Sequence, residues 1–225
     1  MLLPLPGLID EKELESIDRI LADAPFVEGA VTAGPAAASV KNNLQLDRKQ
    51  TRDIAKLDAI IMDALSNNAT FRAGAIPRRI LPPYFSKYSE GMSYGSHVDN
   101  PIISDGTTTV RTDLSITVFL SDPDSYDGGE LMIKTETGDT RVKLPRGDAI
   151  IYPTGAYHAV NTVTRGVRLA AVTWIESMIA DPYQRRMIYE LDIVNQSIRQ
   201  KLPDSEEARV LHKIFGNLFR LWGSV

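Results

Sequence analysis

The feature that most restricts the fold lies between Val110 and Leu120. Leu114, Ile116, Val118 and Leu120 alternate there with Asp113, Ser115, Thr117 and Phe119. Strand side chains point alternately to opposite faces, so this segment presents one apolar face and one mixed face. A strand of that kind lies between a core and a cleft. Further strands follow quickly, each announced by a turn. Asp127-Gly128-Gly129 precedes Glu130 to Ile133, and Thr137-Gly138-Asp139 precedes Thr140 to Leu144. Arg146-Gly147-Asp148 precedes Ala149 to Tyr152, and Arg165-Gly166 precedes Val167 to Ile175. Upstream, Ile80 to Tyr88 is another strand. Turn signals roughly every 8 to 20 residues predict an antiparallel sandwich or jelly roll rather than a parallel sheet.

Helical patterns flank this region. Asp10 is an N-cap with Glu13 three residues on, and Leu14, Ile17, Ile20 and Leu21 follow at helical spacing until Pro25 ends the helix. Gly29 to Ala38 is expected to be loop with one short strand. Lys41-Asn42-Asn43 suits a turn and could also face a pocket. Arg48 to Asn67 forms a second helix, with Ile54, Leu57, Ile61 and Leu65 on one face. After residue 176, Asp181-Pro182 starts a helix with proline at its first position. Pro203-Asp204-Ser205 interrupts it, and Val210, Leu211, Ile214, Leu218, Leu221 and Trp222 make a second apolar stripe. Two such helices predict a hairpin that covers the barrel or contacts another copy of the chain, giving a homo-oligomer. The expected architecture is therefore mainly β. Residues 1–76 form a supporting region, 77–177 the core and 178–225 a helical extension. Arg78-Arg79 and Arg185-Arg186 are expected at the solvated surface. Asp122-Pro123-Asp124 and Asp127 read as a turn, and His212 as a surface or interhelical residue.

Composition narrows the chemistry. Of 225 residues, 43% are hydrophobic and 24% charged, as in a soluble globular chain of one large domain, with or without a small appendage. The net charge of −4 argues against a broad nucleic-acid surface. With no cysteine, disulfides, thiolate metal sites and cysteine nucleophiles are excluded. The apolar start, Met1 to Leu8, is short, lacks a basic segment and is followed by Asp10, unlike a signal peptide. No run approaches the roughly 20 apolar residues of a membrane span. A cytoplasmic protein without nucleic-acid or membrane partners is expected.

The chain has three histidines. One of them begins His97-Val98-Asp99, in which extended geometry turns an imidazole and a carboxylate to one side. Such a pair supplies two of the three ligands of a mononuclear iron site that keeps positions open. The second, His158, lies 59 residues after Asp99, a separation that strands of a jelly roll can close. Arg168 opens the apolar strand Arg168-Leu169-Ala170-Ala171-Val172-Thr173-Trp174. A guanidinium there needs a partner, and a carboxylate matches its planar fork.

Together, Tyr88-x-x-Gly91, His97-Val98-Asp99-Asn100-Pro101, Gly128-Gly129-Glu130-Leu131, His158 and Arg168…Trp174 resemble the iron(II)/2-oxoglutarate dioxygenases of the prolyl-hydroxylase branch. From Lys41-Asn42-Asn43-Leu44-Gln45 through the C-terminal helices, the chain resembles the bacterial PKHD-type hydroxylases. The resemblance implies a double-stranded β-helix, the jelly roll already expected. It implies that His97, Asp99 and His158 bind Fe(II), and that Arg168 holds the distal carboxylate of the cosubstrate 2-oxoglutarate. Tyr88 matches a tyrosine lining the cosubstrate pocket. Some relatives carry a tyrosine where this chain has Phe119, which cannot donate a hydrogen bond, so Thr117, Thr173 or Tyr88 is expected to assist Arg168. The implied reaction couples oxidative decarboxylation of 2-oxoglutarate, to succinate and CO2, with O2-dependent hydroxylation of an unidentified small molecule or peptide. Ascorbate is the implied reductant. Pro101 to Thr109 is the candidate lid. A non-catalytic cupin-like protein that binds a metal or small acid, and a zinc hydrolase, are the competing readings.

Overall fold

The computed structural model describes residues 1–32, 38–104 and 109–224. Eight strands make the larger sheet: β1 (Leu3–Leu5), β2 (Phe26–Glu28), β4 (Leu44–Leu46), β5 (Pro77–Ile80), β6 (Tyr84–Tyr88), β10 (Leu114–Phe119), β14 (Ala149–Pro153) and β17 (Arg168–Ser177). Their order is β1-β14-β10-β17-β6-β4-β2, with β5 paired to the far end of β17. The smaller sheet runs β13 (Gly138–Val142), β12 (Leu131–Thr135), β15 (His158–Val160), β7 (Ser93–His97) and β3 (Lys41–Asn42). Two further antiparallel pairs occur among the described residues, β8 (Ile102–Ser104) with β9 (Thr109–Arg111) and β11 (Asp127–Gly128) with β16 (Val163–Arg165).

The alternation in β10 decides what each side of the larger sheet meets. Leu114, Ile116 and Val118 enter the main core with Leu14, Ile17, Leu57, Ile61 and Phe71. Those partners lie on helices α1 (Glu11–Ala22), α2 (Ile54–Asn67) and α3 (Ala69–Ala75), so helices cover the outer face. Phe119, Ile150 and Tyr152 turn inward and pack on Leu131, Ile133 and Val142 of the smaller sheet. At roughly 25 cal/mol per Å² of apolar area, these two layers supply the main favourable folding term.

Local chemistry explains the helix boundaries. The Asp10 carboxylate accepts from the Glu13 amide, and Glu13 reaches back to the Asp10 amide, forming the expected capping box. The second helix starts at Ile54 rather than Arg48. Asp47 takes the intervening backbone instead, accepting at its side chain from the Lys49 and Gln50 amides. Asn68 then caps a separate short helix, accepting from the Phe71 amide.

The strand expected over Ile80 to Tyr88 is two strands, β5 and β6. Leu81-Pro82-Pro83 divides them because consecutive prolines offer no N–H to a ladder. Val110 to Leu120 is likewise divided, into β9 and β10. The expected loop at Gly29 to Ala38 begins as a 3-10 turn after β2, and residues 33–37 lie outside the described ones. Helices α4 (Pro182–Lys201) and α5 (Glu206–Trp222) start at Asp181 and Ser205 caps. They form the expected hairpin, which packs Ile188, Phe215 and Phe219 with Ile76 and Ile179. Arg185 corrects the surface assignment of its pair. It is buried and donates to the Ile179 and Ala180 carbonyls, whereas Arg186 is exposed and pairs with Glu190.

Candidate active site

A cavity of about 320 Å³ opens between the two sheets, with His97, Asp99, His158 and Arg168 in its wall. His97 ends β7 and His158 begins β15, and the antiparallel register sets them directly opposite each other. Opposed residues in a ladder have close Cβ atoms, and the two ring centroids are 4.3 Å apart. Asp99 follows His97 by two residues. One donor atom from each of the three falls within 4.8 Å of the others.

Both imidazoles are oriented alike. His97 Nδ1 lies 2.8 Å from the Gly95 carbonyl, and His158 Nδ1 lies 3.0 Å from the Ala156 carbonyl. A carbonyl only accepts, so each Nδ1 carries a proton, and in the neutral imidazole that leaves the Nε2 lone pair to a ligand. His97 Nε2 is 3.5 Å from Asp99 Oδ1, and His158 Nε2 is 3.6 Å from Asp99 Oδ2. His97 Nε2 is buried and has no hydrogen-bond partner among the described residues. Burial pushes the His158 imidazolium below its ordinary pKa against the opposing pull of Asp99. Burial alone would raise Asp99, but His97, His158 and the Trp174 indole outweigh it and hold the carboxyl below its ordinary value. Neutral imidazoles and an ionised carboxylate are the protonation states a metal needs.

Strand β10 runs along the cavity with its odd-numbered residues inward. Ser115 Oγ lies 2.9 Å from Asp99 Oδ2. Thr117 Oγ1 lies 3.5 Å from the Tyr152 hydroxyl. The Arg168 guanidinium lies 5.5 Å from the Phe119 ring centroid. One strand therefore measures the distance from the imidazole–carboxylate cluster to the arginine.

Arg168 is 1% exposed, and among the described residues no carboxylate pairs with it. Its Nε is buried without a partner. The guanidinium is also 5.2 Å from the centroid of Tyr88, which joins it in the cavity wall. A buried guanidinium without an acid is expensive, and the cavity gives it room for a carboxylate.

Of the hydroxyls expected to assist Arg168, Thr117 and Tyr88 face the cavity. Thr173 instead donates to the Leu81 carbonyl. Arg168, Val172 and Trp174 share one parity on β17 and line the cavity, so Thr173 falls on the other face. Tyr152 was missed. It lines the cavity, stands edge-on to His158 at 5.2 Å and keeps its proton because burial pushes its phenol up. Its register partner on β10 is Ser115, but nothing local to the sequence distinguishes it from a core tyrosine. Of the expected lid, Ile102, Ile103 and Ser104 line the cavity, and residues 105–108 lie outside the described ones.

Gly128 and Gly129 adopt positive φ values of 71° and 64°. A Cβ on Gly128 would meet the Thr162 carbonyl oxygen at 2.0 Å, and one on Gly129 would stand 3.1 Å from Arg168 Cδ. The glycine pair thus admits β16 and the arginine to positions that side chains would occupy.

Two sheets enclosing a His-x-Asp…His cluster and a buried arginine are the features of an iron(II)- and 2-oxoglutarate-dependent oxygenase. The 2OG-Fe(II) oxygenase superfamily model matches residues 83–176, and the PKHD-type hydroxylase C-terminal domain matches residues 183–224. A PKHD-type hydroxylase of Gluconacetobacter diazotrophicus is 45% identical over 225 residues, covering 99% of each chain. The PKHD-type hydroxylase YbiX of Escherichia coli O8 is 42% identical over 226 residues, covering all of both chains. A Pseudomonas putida prolyl-4-hydroxylase structure shares the fold with a TM-score of 0.53 at 18% identity, over 78% of this chain and 92% of that one.

The chain belongs to the PKHD-type hydroxylase family. It is accordingly an oxidoreductase that couples oxidative decarboxylation of 2-oxoglutarate to hydroxylation of a second substrate.

Proposed function

We propose that His97, Asp99 and His158 hold Fe(II), and that Arg168 binds the distal carboxylate of 2-oxoglutarate. The observation that carries this reading is the joint presence, in one cavity, of three converging donors and a buried guanidinium that no acid among the described residues pairs with. Two imidazole nitrogens and one carboxylate oxygen fit iron(II) with positions left open. The orphaned His97 Nε2 is an atom such an ion would satisfy. Iron held there would supply, with O2, the oxidising power that sends one oxygen atom into succinate as CO2 leaves and the other into the product hydroxyl.

The protein's own groups position and exclude. Arg168 fixes the far end of the cosubstrate before reaction, lowering the entropic part of the barrier. Tyr88 steadies the guanidinium across its ring face. Thr117 and Tyr152 supply the hydroxyls that Phe119 lacks. Leu131, Val160 and Val172 in the cavity wall limit water near the reacting atoms. The second substrate is a small molecule or peptide entering past Val98, Asn100 and Ile102, which line the cavity. Ascorbate restores iron that has become oxidised.

The two-sheet core is a double-stranded β-helix built chiefly from residues 77–177, with 1–76 as support and 178–225 as an extension. A cytoplasmic location agrees with the lack of cysteine, and no helix among the described residues is long and apolar enough to cross a membrane. Recovery in a periplasmic or membrane fraction would overturn that location. The exposed Val210, Ile214 and Leu221 on α5 support a homo-oligomer through the hairpin. A monomeric mass in light scattering would remove that assignment.

The central test is succinate formation from 2-oxoglutarate with Fe(II), accompanied by a screen of metabolites and peptides for products heavier by one oxygen. His97→Ala and Asp99→Ala are expected to abolish Fe(II) binding and turnover. Unchanged turnover in either variant overturns the ligand assignment. Arg168→Met is expected to retain Fe(II) and lose 2-oxoglutarate binding.

A further inference from the structure

The two oxygens of Asp99 are not equivalent. Oδ2 accepts from the Trp174 indole Nε1–H at 2.8 Å and from the Ser115 hydroxyl at 2.9 Å. Ser115 Oγ also lies 3.1 Å from Thr154 Oγ1. It has only one proton to give, and the carboxylate is the stronger acceptor. Two donors match the two lone pairs of Oδ2 in number. Oδ2 also stands 3.6 Å from His158 Nε2, whereas Oδ1 faces His97 Nε2 at 3.5 Å and, among the described residues, accepts no hydrogen bond.

Both donors come from the larger sheet. Ser115 on β10 and Trp174 on β17 are register partners in adjacent strands, so their side chains rise side by side from one face. The indole is held in turn by Tyr84, which meets its ring edge-on at 5.5 Å. Asp99, which follows β7 of the smaller sheet, is thus gripped by the opposite wall of the cavity.

We infer that Trp174 and Ser115 are positioning residues that saturate Asp99 Oδ2, so that the carboxylate ligates the metal through Oδ1 alone. This inference rests on the proposed metal role of Asp99. A carboxylate free to turn could engage an ion through both oxygens and fill a coordination position needed by 2-oxoglutarate or O2. The paired donors prevent that by making Oδ2 the oxygen that is already satisfied. They act through Asp99, as hydrogen-bond partners of metal ligands do elsewhere. The arrangement also gives the protein a reporter. Only two tryptophans are present, and the other, Trp222, packs in the C-terminal hairpin.

The test uses the intact protein labelled with 15N at the tryptophan indoles, with Trp222→Phe identifying which resonance belongs to Trp174. The Trp174 indole proton is expected downfield of the Trp222 one and protected from solvent exchange. It is expected to move when the diamagnetic ion Zn(II) is added, and to move in the Asp99→Asn protein. An unprotected resonance that ignores both changes overturns the inference without requiring any variant at Trp174. Calorimetry then measures metal affinity. Trp174→Phe and Ser115→Ala are each expected to weaken Zn(II) and anaerobic Fe(II) binding by about 10- to 100-fold. The double variant should lose less than the product of the two, because both donors act on one oxygen. Wild-type affinity in Trp174→Phe overturns the positioning role alone. Failure of the wild-type protein to bind either ion overturns both this inference and the metal assignment beneath it.

Discussion

The ring of Tyr94 lies against that of His97, with centroids 3.6 Å apart and planes 19° from parallel. The two residues are three apart on β7, near the end of that strand. The contact holds the imidazole plane while the Gly95 carbonyl sets its tautomer. Ring pairs of this kind contribute about 0.5–1.5 kcal/mol beyond burial. Tyr94→Leu is therefore expected to weaken metal binding by about threefold to tenfold. Tyr94→Phe, which keeps the ring, should bind as wild type does. Calorimetry with Zn(II) measures both, and equal affinity in all three proteins would refute the effect.

Tyr152 provides a second test in the cavity wall. Its hydroxyl is 3.5 Å from Thr117 Oγ1 and stays protonated because burial raises its pKa. Tyr152→Phe keeps the ring and removes only a donor. The expected result is an approximately tenfold weaker binding of 2-oxoglutarate, the scale of one hydrogen bond to a charged group. Metal affinity should not change. A loss of metal binding with normal 2-oxoglutarate affinity would place this hydroxyl in the wrong role.

The adjacent glycines at 128 and 129 should fail differently. Alanine at 128 meets a backbone oxygen at 2.0 Å on top of an unfavourable positive φ. Gly128→Ala is expected to lower unfolding stability by more than about 2 kcal/mol. Alanine at 129 meets side chains of Tyr126, Val163 and Arg168 at 3.0 to 3.1 Å, which can yield. Gly129→Ala should show the smaller stability loss and a weaker 2-oxoglutarate affinity, as Arg168 shifts. Denaturant unfolding and cosubstrate titration of both variants check the contrast, and the reverse ranking of stability would overturn it.

Lys41 should make stability depend on alkaline pH. Burial lowers its pKa to about 8, with Asp99 opposing, against about 10.4 in the unfolded chain. Between those values the unfolded chain binds more protons, so this residue makes stability rise with pH. Below about 8 both states carry the ammonium and the penalty of burying it is complete. Relative to Lys41→Met, the wild-type protein should gain stability from pH 7.5 to pH 10, by about 1–2 kcal/mol after allowance for solvent screening. Urea unfolding at the two pH values measures the gain. A constant difference between the proteins would show that the buried ammonium is not under this strain.

Much of the architecture is encoded locally. The alternation from Leu114 to Phe119 is enough to assign one face to a core and the other to a cavity, and Asp10…Glu13 and Asp181-Pro182 suffice to start their helices. His97-x-Asp99 brings two donors together because a strand turns alternate side chains the same way. Thr173 shows how far the same rule reaches. Counting parity from Arg168 already places it on the opposite face, and its bond to the Leu81 carbonyl agrees.

Other relationships arise only once the strands are paired. His158 becomes the neighbour of His97 through the register of β15 with β7, including a shift between His158 and Val160. Trp174 reaches Asp99 from 75 residues away, and Tyr152 reaches Thr117 from 35. Local sequence therefore determined which side chains share a face, because that follows from backbone periodicity. Tertiary structure decided which faces meet, because register depends on burying both sheets and the helices at once. That packing leaves Arg168 inside with no acid paired to it among the described residues and brings Trp174 to a single oxygen of Asp99.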